Sequence, residues 1–173
     1  GHIWIGGGQT SIDGDNFLPN LPTEEVFTLP KKTGVNGTLR STKPLNYRSN
    51  LIDNFELTFK DGKIVDFKAE TGYETLKNMI DTDEGSHFLG EVALVPHDSP
   101  ISNTNITFYN TLYDENASCH FAIGSAYMLC IENSSKLTKE AKERIGVNDS
   151  LIHVDFMVGS AEMDIVGITK SGE

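Results

Sequence analysis

The alternation of apolar and polar residues along the chain predicts mainly short β-strands. Gly6-Gly7-Gly8 ends the first of them, and residues 9–24, rich in Asn, Asp, Gly and Pro, predict a loop. Further along, Asp61-Gly62 is a dipeptide typical of a tight hairpin turn. The predicted strands cover residues 2–5, Glu25–Leu29, Val35–Thr42, Ile52–Phe59, Ile64–Phe67, Phe88–Val95, Asn103–Tyr109, Ser150–Val158 and Asp164–Lys170.

Three segments have the residue spacing of a helix instead. The spacing predicts an amphipathic helix over Thr71–Asp81 and a mainly apolar, packed helix over Glu115–Leu129. It predicts a charged, exposed helix over Thr138–Ile145. Strands outnumber helices, and the hairpin signals imply antiparallel pairing. The pattern therefore predicts an α+β fold with a mixed, mainly antiparallel sheet and a few packed helices.

Length and composition indicate one folded domain without affinity for nucleic acid or membranes. The chain has 173 residues, of which 38% are hydrophobic and 23% charged, as is usual for folded proteins. Its 25 acidic and 14 basic residues leave a formal net charge of −11, which would repel nucleic acid and anionic lipid surfaces. No apolar run reaches the roughly 20 residues that a transmembrane helix needs.

The chain ends and the cysteines predict an intracellular piece of a longer polypeptide. Gly1 starts the sequence without a Met or a signal-peptide pattern, and Glu173 closely follows a predicted strand. Cys119 and Cys130 lie in the apolar predicted helix, where their spacing corresponds to about 16 Å. A disulfide tolerates only about 7 Å between Cα atoms, so we expect two free thiols.

His153 and Asp155 form the first candidate functional pair. They stand two residues apart in a predicted strand, so both side chains face the same side of the sheet. Their neighbours are apolar, and buried ionisable groups must be paired or must hold a cation. A hydrogen bond within the core is the commoner explanation, and a metal site is the alternative.

Other ionisable residues also interrupt apolar segments. His120 lies in the apolar predicted helix, seven residues before Tyr127 and therefore on the same helical face. Core packing is the commoner role for both residues. Glu91 stands inside an apolar strand, and Glu24 and Glu25 directly precede the apolar pair Val26-Phe27. Imidazole and carboxylate ligands together suit Zn, Mn, Co or Fe, which makes a metal site the sharper hypothesis.

Other hydrolase chemistries lack their sequence signatures. Neither the HExxH motif of zinc proteases nor the GxSxG motif of serine hydrolases occurs. Cys119 directly precedes His120, and adjacent residues of a helix project about 100° apart. This geometry argues against a Cys–His nucleophile pair.

Six sequence blocks, in order, resemble the metallo-aminopeptidases of the aminopeptidase T, aminopeptidase S and PepS family. The resemblance extends over essentially the whole chain and corresponds to the C-terminal, metal-binding part of that family. The family's larger N-terminal portion and a short terminal segment have no counterpart here. The blocks are PTEEVFT at 22–28, LGEVALV at 89–95, DSPI at 98–101, DENA at 114–117, CH at 119–120 and HVDFMVGS at 153–160.

The resemblance implies two divalent metal ions, with Zn, Co, Mn and Mg as candidates. In that family the ions are held by two glutamates, two histidines and an aspartate, and a tyrosine lies close by as a ligand or as a hydrogen-bond donor to an oxyanion. Carried over by motif, the ligands here would be Glu25, Glu91, His120, His153 and Asp155, with Tyr127 as the nearby phenol.

The general base has two candidates. Adjacent Glu-Glu pairs supply a base and a ligand in other two-metal peptidases, and this analogy favours Glu24 beside Glu25. Neighbouring residues of a strand face opposite ways, so that role would need an irregular backbone after Pro22. Glu115 is the alternative, although an acidic residue at a helix start also has a purely structural use.

The implied function is that of an aminopeptidase, an exopeptidase hydrolase that removes N-terminal residues from peptides with a free N-terminus. Residues 1–173 would be the metal-binding catalytic domain of a longer, cytoplasmic, homodimeric enzyme whose N-terminal domain is missing from this chain. Two alternatives stay open. One is a metal-stabilised structural or binding module without activity, and the other is a dinuclear metal hydrolase of a different amide or ester.

Overall fold

The computed structural model describes residues 2–18, 22–169 and 171–172. In these residues the strands are β1 Ile5–Gly6, β2 Gln9–Thr10, β3 Asn16–Phe17, β4 Val26–Thr28, β5 Gly37–Arg40, β6 Leu45–Tyr47, β7 Asn50–Lys60, β8 Lys63–Thr71, β9 Leu89–Leu94, β10 His120–Gly124 and β11 His153–Met157. The helices are α1 Tyr73–Ile80, α2 Pro100–Thr104, α3 Thr111–Asp114 and α4 Lys139–Ile145, and single 3₁₀ turns cover 85–87, 115–117, 128–130 and 134–136.

Five of the strands form one antiparallel sheet in the order β1-β4-β9-β10-β11. β10 lies between β9 and β11, and its Phe121 is paired with Val92 on one side and with Phe156 on the other. Ile123 and Phe156 are buried in the hydrophobic core on one face of this sheet. Because successive residues of a strand face opposite sides, the alternate positions of the same strands face a different environment.

A second antiparallel sheet is organised around the long strand β7. β5 and β6 pair with different parts of β7, and β8 follows it along most of its length. The turn between β7 and β8 has φ angles of 49° at Asp61 and 84° at Gly62, as a tight two-residue hairpin requires. The hairpin predicted from Asp61-Gly62 is therefore confirmed.

The hydrophobic core lies between the two sheets and α1. Phe55 of β7 and Phe156 of β11 bring their ring centroids to 5.6 Å, and α1 buries Leu76, Met79 and Ile80. Each such fully buried side chain contributes roughly 1.5–3 kcal/mol relative to its exposed state. This core holds the two sheets together as one body and gives the five-stranded sheet a rigid support.

The α+β class is confirmed, and every strand pairing in the described residues is antiparallel. The predicted helices at 71–81 and 138–145 correspond to α1 and α4, the latter capped by the Thr138 side chain. The predicted strands at 2–5, 25–29, 35–42, 52–59, 64–67, 88–95 and 150–158 each overlap an observed strand. No helix in the described part of the chain is long and apolar enough to cross a membrane.

The predicted helix at 115–129 is wrong. The segment consists of a 3₁₀ turn at Glu115–Ala117, strand β10 and a second 3₁₀ turn at Met128–Cys130. Its small residues favoured a packed helix in the prediction, but in the structure they allow neighbouring strands to lie close together. A Cβ added to Gly124, whose φ is 107°, would lie 2.1 Å from the carbonyl oxygen of Ile152.

Two predicted strands are also wrong. The segment predicted as a strand at 103–109 begins inside α2, whose first turn is capped by Ser99, and then continues as a loop. Residues 164–169 form no strand, and Lys170 lies outside the described residues. The loop predicted at 9–24 contains the short β2–β3 ladder, while residues 19–21 are not described. Strand β6 was not predicted.

Candidate metal centre

Strand register brings the predicted ligands onto one face of the five-stranded sheet. Ala122 of β10 is paired with Glu91 of β9 and with Asp155 of β11, and directly paired residues project to the same side. His120 and His153 lie two residues before Ala122 and Asp155 in their strands, so they share that face. The methyl group of Ala122 leaves room between the two carboxylates.

Glu25 reaches the same face from the segment just before β4. It lies two residues before Phe27, which is paired with Ala93 of β9, and Ala93 is paired in turn with His120. Gly90 supports this arrangement from the other side of the chain. A Cβ at Gly90 would lie 2.3 Å from the carbonyl oxygen of Ser125. Strand β9, which carries Glu91, can therefore lie this close to the backbone of Ser125 only because residue 90 is a glycine.

The five side chains form two groups that share Glu91. In the first group, His120 Nε2 lies 2.9 Å from Glu25 Oε2 and 3.5 Å from Glu91 Oε1. In the second, His153 Nε2 lies 3.6 Å from Glu91 Oε2 and 3.5 Å from Asp155 Oδ1. Within each group, one ligand atom from each of the three residues lies within 4.8 Å of the others. Glu91 thus presents one carboxylate oxygen to each group.

Backbone carbonyls orient both imidazoles toward the carboxylates. His120 Nδ1 lies 3.1 Å from the carbonyl oxygen of Ser118, and His153 Nδ1 lies 2.6 Å from that of Ser125. A carbonyl oxygen only accepts hydrogen bonds, so each Nδ1 carries a proton and each Nε2 faces the cluster. Metal-binding histidines are held in the same way in other proteins.

The residues fit a divalent cation because their buried ligand atoms lack other partners. Glu25 Oε2, His120 Nε2 and Asp155 Oδ1 are buried and have no hydrogen-bond partner among the described residues. Although His120 Nε2 and Glu25 Oε2 are 2.9 Å apart, they do not have hydrogen-bond geometry. Buried polar atoms are costly unless they are bonded or coordinate a metal, and imidazole with carboxylate is a ligand set for divalent transition metals.

The cluster also perturbs its own proton equilibria. Burial disfavours the charged form of His153, but its interaction with the Asp155 carboxylate outweighs burial and raises the pKa of His153 to about 9. Burial likewise opposes protonation of His120, yet Glu25 and Glu91 raise its pKa well above the usual range. Burial raises the pKa of Glu91. Without a cation, the imidazoles therefore hold the positive charge that the carboxylates require.

A cavity of about 570 Å³ opens onto this cluster. Its volume falls within the range of small-molecule binding sites. His120, a member of the cluster, is fully buried and is not among the lining residues. Of the predicted site residues, the lining includes Glu25, Glu91, Glu115, Tyr127, His153 and Asp155.

Tyr127 reaches the cavity from the loop after β10, and its ring centroid lies 4.4 Å from that of His153. The prediction that Tyr127 and His120 share a helix face is wrong, because His120 lies on a strand. Tyr127 nevertheless lies beside the cluster. Burial, followed by repulsion from Asp155, raises the pKa of Tyr127 to about 12. Its phenol therefore keeps its proton at neutral pH and can donate a hydrogen bond.

The structure places the two candidate general bases differently. Glu115 is buried in its 3₁₀ turn and lines the cavity, and burial, followed by repulsion from Asp155, raises its pKa to about 8. Glu24 lines a different cavity, together with Val26 and Cys119. Neighbouring residues alternate in this extended segment, so the structure brings Glu25 to the cluster and leaves Glu24 on the other side.

Two further residues shape the cavity and were not predicted. Asn116 is buried, accepts a hydrogen bond from the backbone of Glu24 at 2.7 Å and donates one to the carbonyl of Leu112 at 3.1 Å, which ties the segment before β4 to the 3₁₀ turn of Glu115. Arg48 lines the cavity from the β6–β7 turn. Asn116 lies in the DENA block at 114–117 and could have been found there, whereas no sequence signal marks Arg48.

The fold and this donor set define a metal-binding protein with an open cavity beside the metal centre. Comparison with known families agrees with that class. A family model described as "Thermophilic metalloprotease (M29)" matches residues 1–173, and the chain belongs to this family. The metalloprotease description implies a divalent metal, and the resemblance inferred from the six sequence blocks is confirmed.

The chain is also similar to named aminopeptidases. It is 64% identical over 173 residues to "Aminopeptidase 2" of Geobacillus stearothermophilus, covering 100% of this chain and 42% of that protein. It is 58% identical over 172 residues to "Aminopeptidase AmpS" of Bacillus subtilis (strain 168), covering 99% and 42%. The solved structure "Wild-type AmpT from Thermus thermophilus" matches with a TM-score of 0.93 and 45% identity, covering 100% of this chain and 42% of that one. The chain thus spans less than half the length of these relatives.

Proposed function

We propose that this chain forms the metal-binding catalytic part of an aminopeptidase that removes N-terminal residues from peptides. The observation that carries the proposal is the pair of ligand groups sharing Glu91 at the floor of a cavity. The names of the similar proteins, all aminopeptidases, support the same activity.

The proposed ligands are Glu25, Glu91 and His120 for one ion, and Glu91, His153 and Asp155 for a second. The sharing of Glu91 supports two ions rather than one. Zn or Co is our first choice, because imidazole and carboxylate together suit these metals, and Mn and Mg remain the other candidates. When bound, such ions lower the pKa of a water molecule and polarise a carbonyl group.

Glu115 and Tyr127 are the proposed proton-handling residues. The Glu115 carboxyl lies in the cavity lining with a pKa of about 8. Its carboxylate form is therefore the minority at pH 7 and grows as the pH rises, and that form would accept a proton and return it to the leaving amine. The Tyr127 phenol would donate a hydrogen bond to the oxygen that becomes negative during attack on the peptide carbonyl. Glu24 faces another cavity, and we assign it no catalytic role.

We further propose that residues 1–173 form one domain of a longer, homodimeric, cytoplasmic enzyme with an additional N-terminal domain. The coverage of only 42% of the similar proteins supports a longer chain. The two free cysteines support a reducing compartment. Size-exclusion chromatography with light scattering on the full-length protein would test the dimer, for which a monomeric mass is the contrary result.

Hydrolysis of leucine anilide tests the activity. The full-length protein and the 173-residue chain would be assayed side by side after loading with Zn²⁺ or Co²⁺, and their metal content measured by mass spectrometry. We expect two ions per chain and activity in the full-length protein. Metal binding without hydrolysis in either protein would favour a structural or binding module, and hydrolysis of other amides or esters but not of leucine anilide would favour a different dinuclear hydrolase.

A further inference from the structure

The cavity at the metal centre has an uneven distribution of charge. Its floor and walls carry four carboxylates, those of Glu25, Glu91, Glu115 and Asp155. Among the described residues that line it, Arg48 is the only Lys or Arg. No described carboxylate forms an ion pair with this exposed arginine. Its charge is therefore available to a ligand in the cavity.

Arg48 is held at this position by a strained turn. It is the first of the two residues between β6 and β7, and both have positive φ, 49° at Arg48 and 64° at Ser49. Such a turn favours Asn and Gly at these positions, and a residue with a longer side chain is disfavoured there. Backbone strain of this kind is concentrated at functional sites.

Several contacts fix the turn and the guanidinium. Asn50 donates a hydrogen bond to the carbonyl of Arg48 at 3.0 Å, and Asn46 donates one to the carbonyl of Tyr109 at 3.1 Å. The Arg48 guanidinium lies 5.2 Å from the centroid of the Tyr47 ring, at a distance typical of a cation–π contact. This contact leaves the guanidinium N–H groups free to donate hydrogen bonds.

Building on the proposed aminopeptidase function, we propose that Arg48 binds the C-terminal carboxylate of short peptides. A guanidinium is the side chain best suited to a carboxylate, because it can donate two parallel hydrogen bonds. The two proposed ligand groups mark the floor of the cavity as the place of the substrate's N-terminal residue, and Arg48 is the lining group suited to the carboxylate at the other end of the peptide.

The size of the cavity sets the length of that peptide. A compact volume of about 570 Å³ has a diameter on the order of 10 Å, which corresponds to roughly three extended residues at about 3.3–3.6 Å each. A dipeptide or tripeptide with a free C-terminus is therefore the peptide that fits within the cavity and is the substrate class of this proposal. In longer peptides the carboxylate would lie beyond Arg48, and this interaction would be lost.

Matched peptides that differ only at the C-terminus test the assignment. The metal-loaded full-length protein would be given Leu-Gly-Gly and its C-terminal amide, and the acid-to-amide ratio of kcat/KM measured. We expect this ratio to be about ten and to come from a lower KM for the acid than for the amide. The acid gains one charge-assisted pair of hydrogen bonds at a partly solvated site, which is worth about this much. The ratio should fall to about one in Arg48→Gln and stay above about three in Arg48→Lys.

Two further variants separate recognition from stability. Arg144→Gln removes the same charge from an exposed arginine on α4 and should leave the ratio near ten. Arg48→Asn suits the positive φ better, so it should raise the melting temperature while the ratio still falls to about one. A purely structural arginine would not give that combination.

The contrary outcomes are specific. Equal kcat/KM for acid and amide in the unmodified protein, or an unchanged ratio in Arg48→Gln, would overturn the assignment of Arg48. Calorimetric titration with the same two peptides needs binding only, so it decides the question even without hydrolysis. A tenfold difference in Kd together with no hydrolysis of peptides or leucine anilide would refute the aminopeptidase proposal and leave the Arg48 assignment standing.

Discussion

The two sheets of this protein use the same antiparallel architecture for opposite purposes. Strand β7 of the second sheet turns Phe55 and Leu57 into the core, where both are fully buried. The face of the five-stranded sheet away from that core carries Glu91, His120 and Asp155 instead, and they are buried almost as deeply. One sheet buries apolar carbon, and the other buries ionisable groups.

The difference shows how the molecule separates stability from function. Buried apolar side chains contribute favourably to folding wherever they pack well. Buried carboxylates and imidazoles without hydrogen-bond partners oppose it, and they are tolerated where function requires them. The shared core of the two sheets, including the Phe55–Phe156 contact, provides the stability that the metal-binding face lacks.

The largest effect that would test this comparison is expected for Glu91→Gln in the full-length protein. The substitution keeps the shape of the side chain but removes the charge common to both ligand groups. We expect leucine-anilide hydrolysis to fall by at least about 10³-fold, with loss of bound metal. Because burial already disfavours the Glu91 carboxylate, the metal-free protein should be as stable as before or more stable. A destabilisation by several kcal/mol would contradict the separation of roles.

Phe55→Ala is the complementary test on the other sheet. Removal of a fully buried ring should lower the free energy of unfolding by about 3–5 kcal/mol, as measured by urea denaturation. The protein that remains folded should bind metal with its original affinity, because Phe55 faces the core. Loss of metal affinity in the folded fraction would show that the two regions are energetically coupled.

The pH dependence of metal binding sharpens the comparison further. His153 has a pKa of about 9, and the pKa of His120 is also raised, so both imidazoles carry an extra proton at neutral pH. A cation must displace these protons, and its affinity should therefore rise with pH, by about tenfold per unit for each proton displaced. The part due to His153 should level off above about pH 9. Calorimetry in buffers of different ionisation enthalpy would measure the release. A flat affinity between pH 6 and 8 would refute the prediction.

A smaller effect is expected for Asn116→Ala, which acts through its neighbours. The Asn116 side chain joins the backbone of Glu24 to the carbonyl of Leu112, and so positions Glu25 relative to Glu115. We expect a loss of metal affinity by about 10-fold to 100-fold, in the range known for residues that support metal ligands. Equilibrium dialysis would measure the metal affinity. The control is Asn103→Ala, because the Asn103 side chain donates a hydrogen bond to the exposed Asp98.

The smallest effect is expected for Glu56→Gln, a second glutamate-to-glutamine change on a β-strand. Glu56 of β7 pairs with the exposed Lys68 at 2.8 Å, and pairs of this kind contribute less than about 1 kcal/mol. Thermal unfolding should shift little, and metal content and activity should be unchanged. An effect as large as that of Glu91→Gln would mean that charge on any strand, rather than its position, controls the site.

The particular elements show where sequence patterns were sufficient. The Asp61-Gly62 turn, α1 and α4 follow from local residue preferences and were predicted, because the signal lies within a few neighbouring residues. The helix predicted at 115–129 failed because apolar and small residues suit both a packed helix and a central strand. Only the pairing of Phe121 with Val92 and Phe156 decides between them.

The sequence by itself determined the α+β class and the family, and it predicted the residue types of the candidate metal centre. These rest on periodicity and on ordered motifs, both of which can be read along one chain. The tertiary structure decided which residues meet: register placed Glu91 and Asp155 on either side of Ala122, and alternation brought Glu25 rather than Glu24 to the cluster. It also placed Arg48 in the cavity, because proximity between distant segments depends on packing and leaves no local pattern.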